Sequence, residues 1–388
     1  MVTVFTPVFN RKNLIGRLYE SLRKQSDKGF EWIIVDDGSN DGLCDVALDW
    51  VNSEKDFLIK YIYVKNGGKH RAINIGVKLA RFGAFFIADS DDYLSLDAIE
   101  FINHHFHDIE DDAQFAGISG LKSFPSGEVV GGKPNFVSYV DAKNNEREKY
   151  SLLGDKAEIY KTSVLRKYPF PEFDNENFIP EGVVWNKIAH NGLKIRWFNK
   201  SIYYCEYLED GLSKNFKKNR LNNPVGMAET IKVKRYCNVI DNNEYLIECY
   251  TYLLDFMDRF NLDEIFELLG LDSNQKDLIH DRYNKDIKSV MGLIKNQKDG
   301  IAIYGMGSFG TRLKKLLEKN SVKIEYGIDE NSDSIEKMNI PIFTLSMTLP
   351  DVEYVIIAVK KCDEELIGIV KDKINCKKVI PISQLVDW

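Results

Sequence analysis

Apolar runs and helical patterns alternate along residues 1–90. Residues 2–6 are β-branched and aromatic and stop at Pro7, and Asn10 then reads as the N-cap of a helix with Leu14, Ile15, Leu18 and Leu22 on one face. Residues 32–35 form a second apolar run, ending in Asp36-Asp37-Gly38-Ser39. A third covers 58–64 and leads through Asn66-Gly67-Gly68-Lys69-His70 into a helix carrying Ala72, Ile73, Ile75, Gly76 and Leu79. The fourth is 84–88. Strand and helix in alternation predict right-handed βαβ units and a largely parallel sheet. Ligands bind such sheets at the carboxyl ends of the strands, and polar residues follow all four runs.

The fourth run ends in Asp89-Ser90-Asp91-Asp92. Side chains alternate along a strand, so two carboxylates one residue apart point the same way. Held that close they repel unless a cation lies between them, which points to a hard divalent metal and a phosphorylated ligand. The plainer alternative is that Asp91 or Asp92 caps a helix over 96–106.

Downstream, 117–124 and 156–160 read as strands and Pro125-Ser126-Gly127 as a turn. Residues 141–149 are polar and aperiodic, which predicts a mobile loop over a second substrate or a plain solvated connection. Past Ser213 the run Lys214-Asn215-Phe216-Lys217-Lys218-Asn219-Arg220 is basic, and helical patterning continues towards Asn296. That run is either a solvated face or a site for an anionic acceptor or membrane surface. A second α/β unit starts near Gly300. Residues 301–304 lead into Gly305-Met306-Gly307-Ser308-Phe309-Gly310, then a helix with Leu313, Leu316 and Leu317, a strand ending at Asp329, and a strongly apolar strand over 352–359. Strand, glycine-rich turn, helix, strand and acid follow the order of a dinucleotide-binding unit. Its glycines serve either nucleotide binding or tight turning and assembly.

Taken in order, Thr6-Pro7-Val8-Phe9-Asn10-Arg11, Val35-Asp36-Asp37-Gly38-Ser39, Asn66 to Gly76 and Asp89-Ser90-Asp91-Asp92 resemble a family-two glycosyltransferase of the GT-A fold, over roughly residues 1–215. The resemblance implies a nucleotide-sugar donor, usually a UDP-sugar, and transfer with inversion. It implies that Thr6, Pro7 and Phe9 frame the uracil, with Asp37 or Asp36 on its N3. Asp89 then lies near the ribose, Ser90 counts among the donor-binding residues, and Asp91 holds Mn²⁺ or Mg²⁺ across the diphosphate. Many relatives carry Arg before the helix Asn, whereas this chain has Ile73 before Asn74, which leaves Lys69 or Arg71 to contact the phosphates. The general base falls at Glu181 in Pro180-Glu181-Gly182; many relatives have Glu-Asp there, and Asp174 or Glu176 is the fallback. The C-terminal unit resembles small Rossmann-like domains appended to bacterial sugar-modifying enzymes.

Composition narrows the partners. The 388 residues are 44% hydrophobic, enough for two cores, and the net charge of −7 argues against general nucleic-acid binding. Cys44, Cys205, Cys237, Cys249, Cys362 and Cys376 show no paired spacing, as expected of reduced thiols in a cytoplasmic protein. Apolar runs are too short to span a bilayer, so any membrane contact is expected to be peripheral. The expectation is an α/β chain with a GT-A domain over 1–215, a helical connector over 216–297 and a Rossmann-like domain over 298–388. Its expected activity is metal-dependent glycosyl transfer to a glycan, lipid-linked or protein-linked acceptor, with homo-oligomers forming through the last domain. The alternative is a nucleotide-sugar-binding or scaffold protein with weak turnover.

Overall fold

The computed structural model describes residues 1–206, 215–293, 300–330, 338–360 and 362–386. The expected boundary between residues 297 and 298 lies outside them, as do Ser213, Lys214 and Asn296. The chain divides into two compact units, Met1–Asp241 and Asn242–Trp388.

The first unit begins with four strands, β1 (Val2–Val8), β2 (Phe30–Asp36), β3 (Leu58–Tyr63) and β4 (Ala84–Ile87). Helices α1 (Lys12–Arg23), α2 (Leu43–Ser53) and α3 (Lys69–Leu79) connect them. β1 pairs in parallel with β2 on one side and β4 on the other, and β2 pairs in parallel with β3. All seven residues of β2 are buried because helices cover both faces of the sheet. The period of two then divides the strand: Trp32 and Ile34 enter one core, Ile33 and Val35 the other. Phe5 and Phe85 stack in the second core with ring centroids 5.2 Å apart. Burying a side chain of this size contributes about 1.5–3 kcal/mol.

A two-residue strand, β5 (Tyr93–Leu94), separates the acidic motif from α4 (Ala98–His107). Asp97 occupies the N-cap position of that helix, so neither Asp91 nor Asp92 caps it. Helix α1 likewise starts one residue later than Asn10 implies. Asn10 adopts a φ of 52° and its side chain accepts a hydrogen bond from the Asn40 N–H.

β6 (Phe115–Ser123), β7 (Tyr139–Ala142), β8 (Lys156–Lys161) and β9 (Lys194–Tyr204) extend the sheet to the order β3-β2-β1-β4-β8-β6-β9-β5, with β7 on β9. β8 runs antiparallel to both β4 and β6, whereas β6 and β9 are parallel. The expected loop over 141–149 is ordered structure. Asp141 and Ala142 belong to β7, Asn144–Tyr150 forms a 3-10 turn, and Arg196 clamps Asp141 through both carboxylate oxygens at 2.8 and 2.9 Å. Polarity misled here because β7 is an edge strand packed on one face. Helices α5 (Thr162–Lys167), α6 (Gly182–His190), α7 (Phe216–Asn222) and α8 (Pro224–Tyr236) complete this unit.

The second unit starts with helices α9 (Asn242–Phe256), α10 (Leu262–Leu269) and α11 (Ser273–Leu293). It continues through β10 (Ile301–Tyr304), α12 (Ser308–Lys319), β11 (Ile324–Ile328), β12 (Ile342–Phe343), β13 (Val352–Ile357), α13 (Glu364–Lys373) and β14 (Cys376–Pro381). Its strands form an all-parallel sheet in the order β12-β11-β10-β13-β14, the Rossmann-like arrangement that the sequence implies. At the glycine-rich turn, Asp329 accepts a hydrogen bond from the Met306 N–H at 2.8 Å. Arg312 on α12 grips Asp255 on α9 through two bonds of 2.7 and 3.1 Å, tying helix layer to sheet layer.

Candidate active site

β1 connects to β2 on one side of the first sheet, while β4 lies on its other side, so a crevice opens at their carboxyl ends. A cleft of about 950 Å³ occupies it. Pro7 and Phe9 line it from the end of β1, Asp37 from beyond β2, Lys69 from the start of α3, Asp89, Ser90 and Asp91 from beyond β4, and Glu181 from the start of α6. Three residues expected at the donor, Thr6, Asp36 and Arg71, do not line it. Thr6 is fully buried and accepts a hydrogen bond from Trp32 Nε1. Asp36 accepts from the Ser39 N–H and the Tyr61 hydroxyl. Arg71 turns away to the Phe173 carbonyl and lies 3.7 Å from Glu172.

Asp37 anchors the glycine loop. Its two oxygens accept the Gly67 and Gly68 N–H groups at 2.7 and 2.8 Å, and Asn66 Nδ2 adds a third bond at 3.1 Å. Burial pushes its carboxyl up, and the two glycine donors hold it back. Gly68 needs to be glycine: its φ is 95°, and a Cβ there would lie 1.8 Å from the Asn177 carbonyl oxygen.

Charge governs the acidic motif. Burial disfavours the Asp89 carboxylate, but Lys69 at 2.7 Å and Lys122 at 3.9 Å outweigh it and hold its pKa below the ordinary value. Lys122 lies 3.0 Å from Asp92, whose carboxyl burial still pushes up to about 6. Asp91 is raised by burial and then by Asp89, and its side chain makes no ion pair with a described residue. The Tyr203 hydroxyl accepts a hydrogen bond from the Asp89 N–H and fixes the turn.

Glu181 stands at the N-cap position of α6, 2.9 Å from Lys69. The fallback carboxylates are placed differently. Glu176 accepts the Val225 and Gly226 N–H groups at 2.6 and 2.7 Å, at the start of α8. Asp174 is exposed and does not line the cleft. Deeper in the cleft, sequence reasoning missed Glu158 on β8. Burial pushes its carboxyl up to about 7 against the pull of Arg147, 3.7 Å away, and Glu181 adds to the rise. The signal was present as Lys156-x-Glu158-x-Tyr160, three polar side chains on one face of a central strand. Lys122 was hidden because a lysine inside an apolar run reads as an edge position.

Among the described residues, no group of three or more His, Cys, Asp or Glu side chains could hold a metal by itself. A divalent ion on a diphosphate takes one or two carboxylates and completes its shell with phosphate oxygens and water. Asp91, which lines the cleft and is felt by Arg11 and Lys122 without a salt bridge to a described residue, fits that donor set.

Residues 3–167 match the family described as Glycosyl transferase family 2. The chain is 24% identical over 226 residues to the glycosyltransferase GlyA of Streptococcus pneumoniae serotype 4, covering 55% of this chain and 31% of that protein. It is 25% identical over 257 residues to an Escherichia coli protein, 65% of this chain and 97% of that one. That relative is named UDP-Glc:alpha-D-GlcNAc-diphosphoundecaprenol beta-1,3-glucosyltransferase WfaP. The match spans less than a third of the length of GlyA, and 16% of a Rickettsia felis glycosyltransferase. Among solved structures, Staphylococcus aureus TarS 1–349 in complex with UDP-GlcNAc aligns with a TM-score of 0.48 at 20% identity, over 72% of this chain and 86% of that one. Among the described residues, no helix is long and apolar enough to cross a membrane. The N-terminal unit therefore has a glycosyltransferase fold of the GT-A, family-2-like kind, and the family match supports a transferase function for it.

Proposed function

We propose that this chain is an inverting glycosyltransferase that moves a sugar from a UDP-sugar to a hydroxyl of a glycan, lipid-linked or protein-linked acceptor. The observation that carries this reading is the meeting of Asp89, Asp91, Lys69 and Glu181 at one crevice, from three separate stretches of chain. Pro7 and Phe9 form the wall for the base, and Asp37, with lone pairs left beyond its loop contacts, offers an acceptor to the uracil N3. Lys69 supplies positive charge where the departing diphosphate gains negative charge. Asp91 is the residue that would hold Mn²⁺ or Mg²⁺, which when bound supplies Lewis-acid stabilisation of the leaving group. Glu181 takes the proton of the attacking hydroxyl, on the acceptor side of the cleft. The name of the E. coli relative, with UDP-glucose as donor and a lipid-diphosphate-linked sugar as acceptor, supports a role in bacterial surface polysaccharide synthesis.

The test is release of UDP from a panel of UDP-sugars, with GDP- and dTDP-sugars as controls, in Mn²⁺ and with glycan acceptors. Glu181→Gln is expected to lower transfer by roughly 10²–10⁴-fold, the range for a positioned general base. Asp91→Asn is expected to match wild type treated with EDTA. Release from no donor, or full activity of both variants, would overturn the assignment.

A further inference from the structure

Two groups with separate roles in the chemistry above, Lys69 and Glu181, are paired with each other. Lys69 Nζ lies 2.7 Å from Asp89 Oδ1 and 2.9 Å from Glu181 Oε1, so a single ammonium bridges the end of β4 and the start of α6. Its backbone is fixed at the first turn of α3 behind Gly68, while its four-carbon stem can swing. The two carboxylates are unequal in what else they have. Asp89 keeps a second cation, Lys122, at 3.9 Å. Glu181 makes no other side-chain ion pair or hydrogen bond with a described residue. Burial lowers the Lys69 pKa, but Asp89 and Glu181 together hold it well above the ordinary value, so the ammonium stays charged.

A nucleoside diphosphate entering this crevice faces Asp89, Asp91 and Asp92 and must recruit positive charge. Lys122 is buried between Asp89 and Asp92, Arg147 lies 3.7 Å from Glu158, Lys156 donates to the Val130, Leu153 and Asp155 carbonyls, and Arg11 lines the cleft and acts on Asp91. Lys69 is the cation that joins the acidic motif to Glu181. When it moves to a diphosphate, Asp89 retains Lys122 and Glu181 loses its partner.

We propose that Lys69 is an exchange cation: it occupies Glu181 while the cleft is empty and passes to the diphosphate of the donor, freeing the Glu181 carboxylate only once the donor is in place. This rests on the reading of Glu181 as the base. It adds a coupling that a positioned base alone does not require. Coupling is reciprocal, so whatever the diphosphate takes from the Lys69–Glu181 pair, the pair withholds from the diphosphate. Removing the Glu181 charge should therefore strengthen diphosphate binding even as it stops transfer.

The experiment is calorimetric titration of UDP, at constant Mn²⁺, into the full chain as wild type, Glu181→Gln, Lys69→Met and the double variant. Glu181→Gln is expected to tighten UDP about fivefold or more, the lower end of usual coupling factors. Lys69→Met should weaken it, and in that background Glu181→Gln should change nothing. Lys69→Gln replaces Lys69→Met if the latter fails to fold. Unchanged affinity in Glu181→Gln, or equal tightening with and without Lys69, would overturn the exchange and leave the glycosyltransferase reading standing. A wild-type chain that binds none of UDP, GDP or dTDP would overturn both.

Discussion

His70 follows Lys69 in the first turn of α3, with 2% of its surface exposed and neither ring nitrogen hydrogen-bonded to a described residue. Burial, and then Arg71, push its pKa down to about 4. Between an ordinary value near 6.5 and that depressed one, the unfolded chain binds a proton that the folded chain refuses. Stability therefore rises with pH through this window and falls as pH drops towards 4, by roughly 3 kcal/mol at most. Urea denaturation from pH 4.5 to 7 should show a shallower slope in His70→Leu than in wild type, whatever its absolute stability; equal slopes would contradict a neutral buried imidazole. Glu158 acts in the opposite sense. Its carboxyl is raised to about 7, so the stability it contributes is complete below the ordinary carboxylate range and is lost as pH climbs through 7. Glu158→Gln should remove that decline. The wild-type curve sums both effects, so the diagnostic quantity is each variant's difference from it.

At the scale of elements, the turn into α3 is the most constrained joint in the cleft. Asp37 collects the Gly67 and Gly68 N–H groups, and Gly68 passes against the Asn177 carbonyl with a φ that side chains disfavour. Gly68→Ala must push apart the segments that carry Lys69 and Glu181, and is expected to cost more than about 2 kcal/mol. Gly127→Ala, also at positive φ but in open space, should cost only the backbone strain of about 1 kcal/mol. Thermal melts of the pair separate contact from conformation. The β1–β4 frame was legible because each strand there is an apolar run closed by a polar cluster. β7 and β9 were not, since their pairing joins residues far apart in sequence and Arg196 meets Asp141 only after folding. The same limit hid Lys122 and Glu158, whose neighbours arrive from other strands. Conversely, Thr6, Asp36 and Arg71 are chemically apt residues that the fold uses for hydrogen bonds of its own.

For the whole molecule, every described residue lining the cleft lies at or before Asn219, within the unit Met1–Asp241. The unit Asn242–Trp388 has its own parallel sheet, its own apolar cluster and the Asp255–Arg312 clamp. Fragments 1–241 and 242–388 are therefore expected to unfold cooperatively when made separately, with UDP binding retained by the first. Binding lost from a folded 1–241 fragment would show that the second unit contributes to the site.

The reversal of direction at β8 carries a further consequence. β4 is Ala84–Ile87, an apolar strand whose far edge, among the described residues, is closed by β8, which pairs on its other side with β6. A nascent chain that has reached residue 150 already contains the strands and loops expected to hold the donor, yet it offers that edge bare. Unpaired apolar edges template association between chains. The early half of this protein is thus a period of hazard during synthesis, and it ends when β8 emerges and docks.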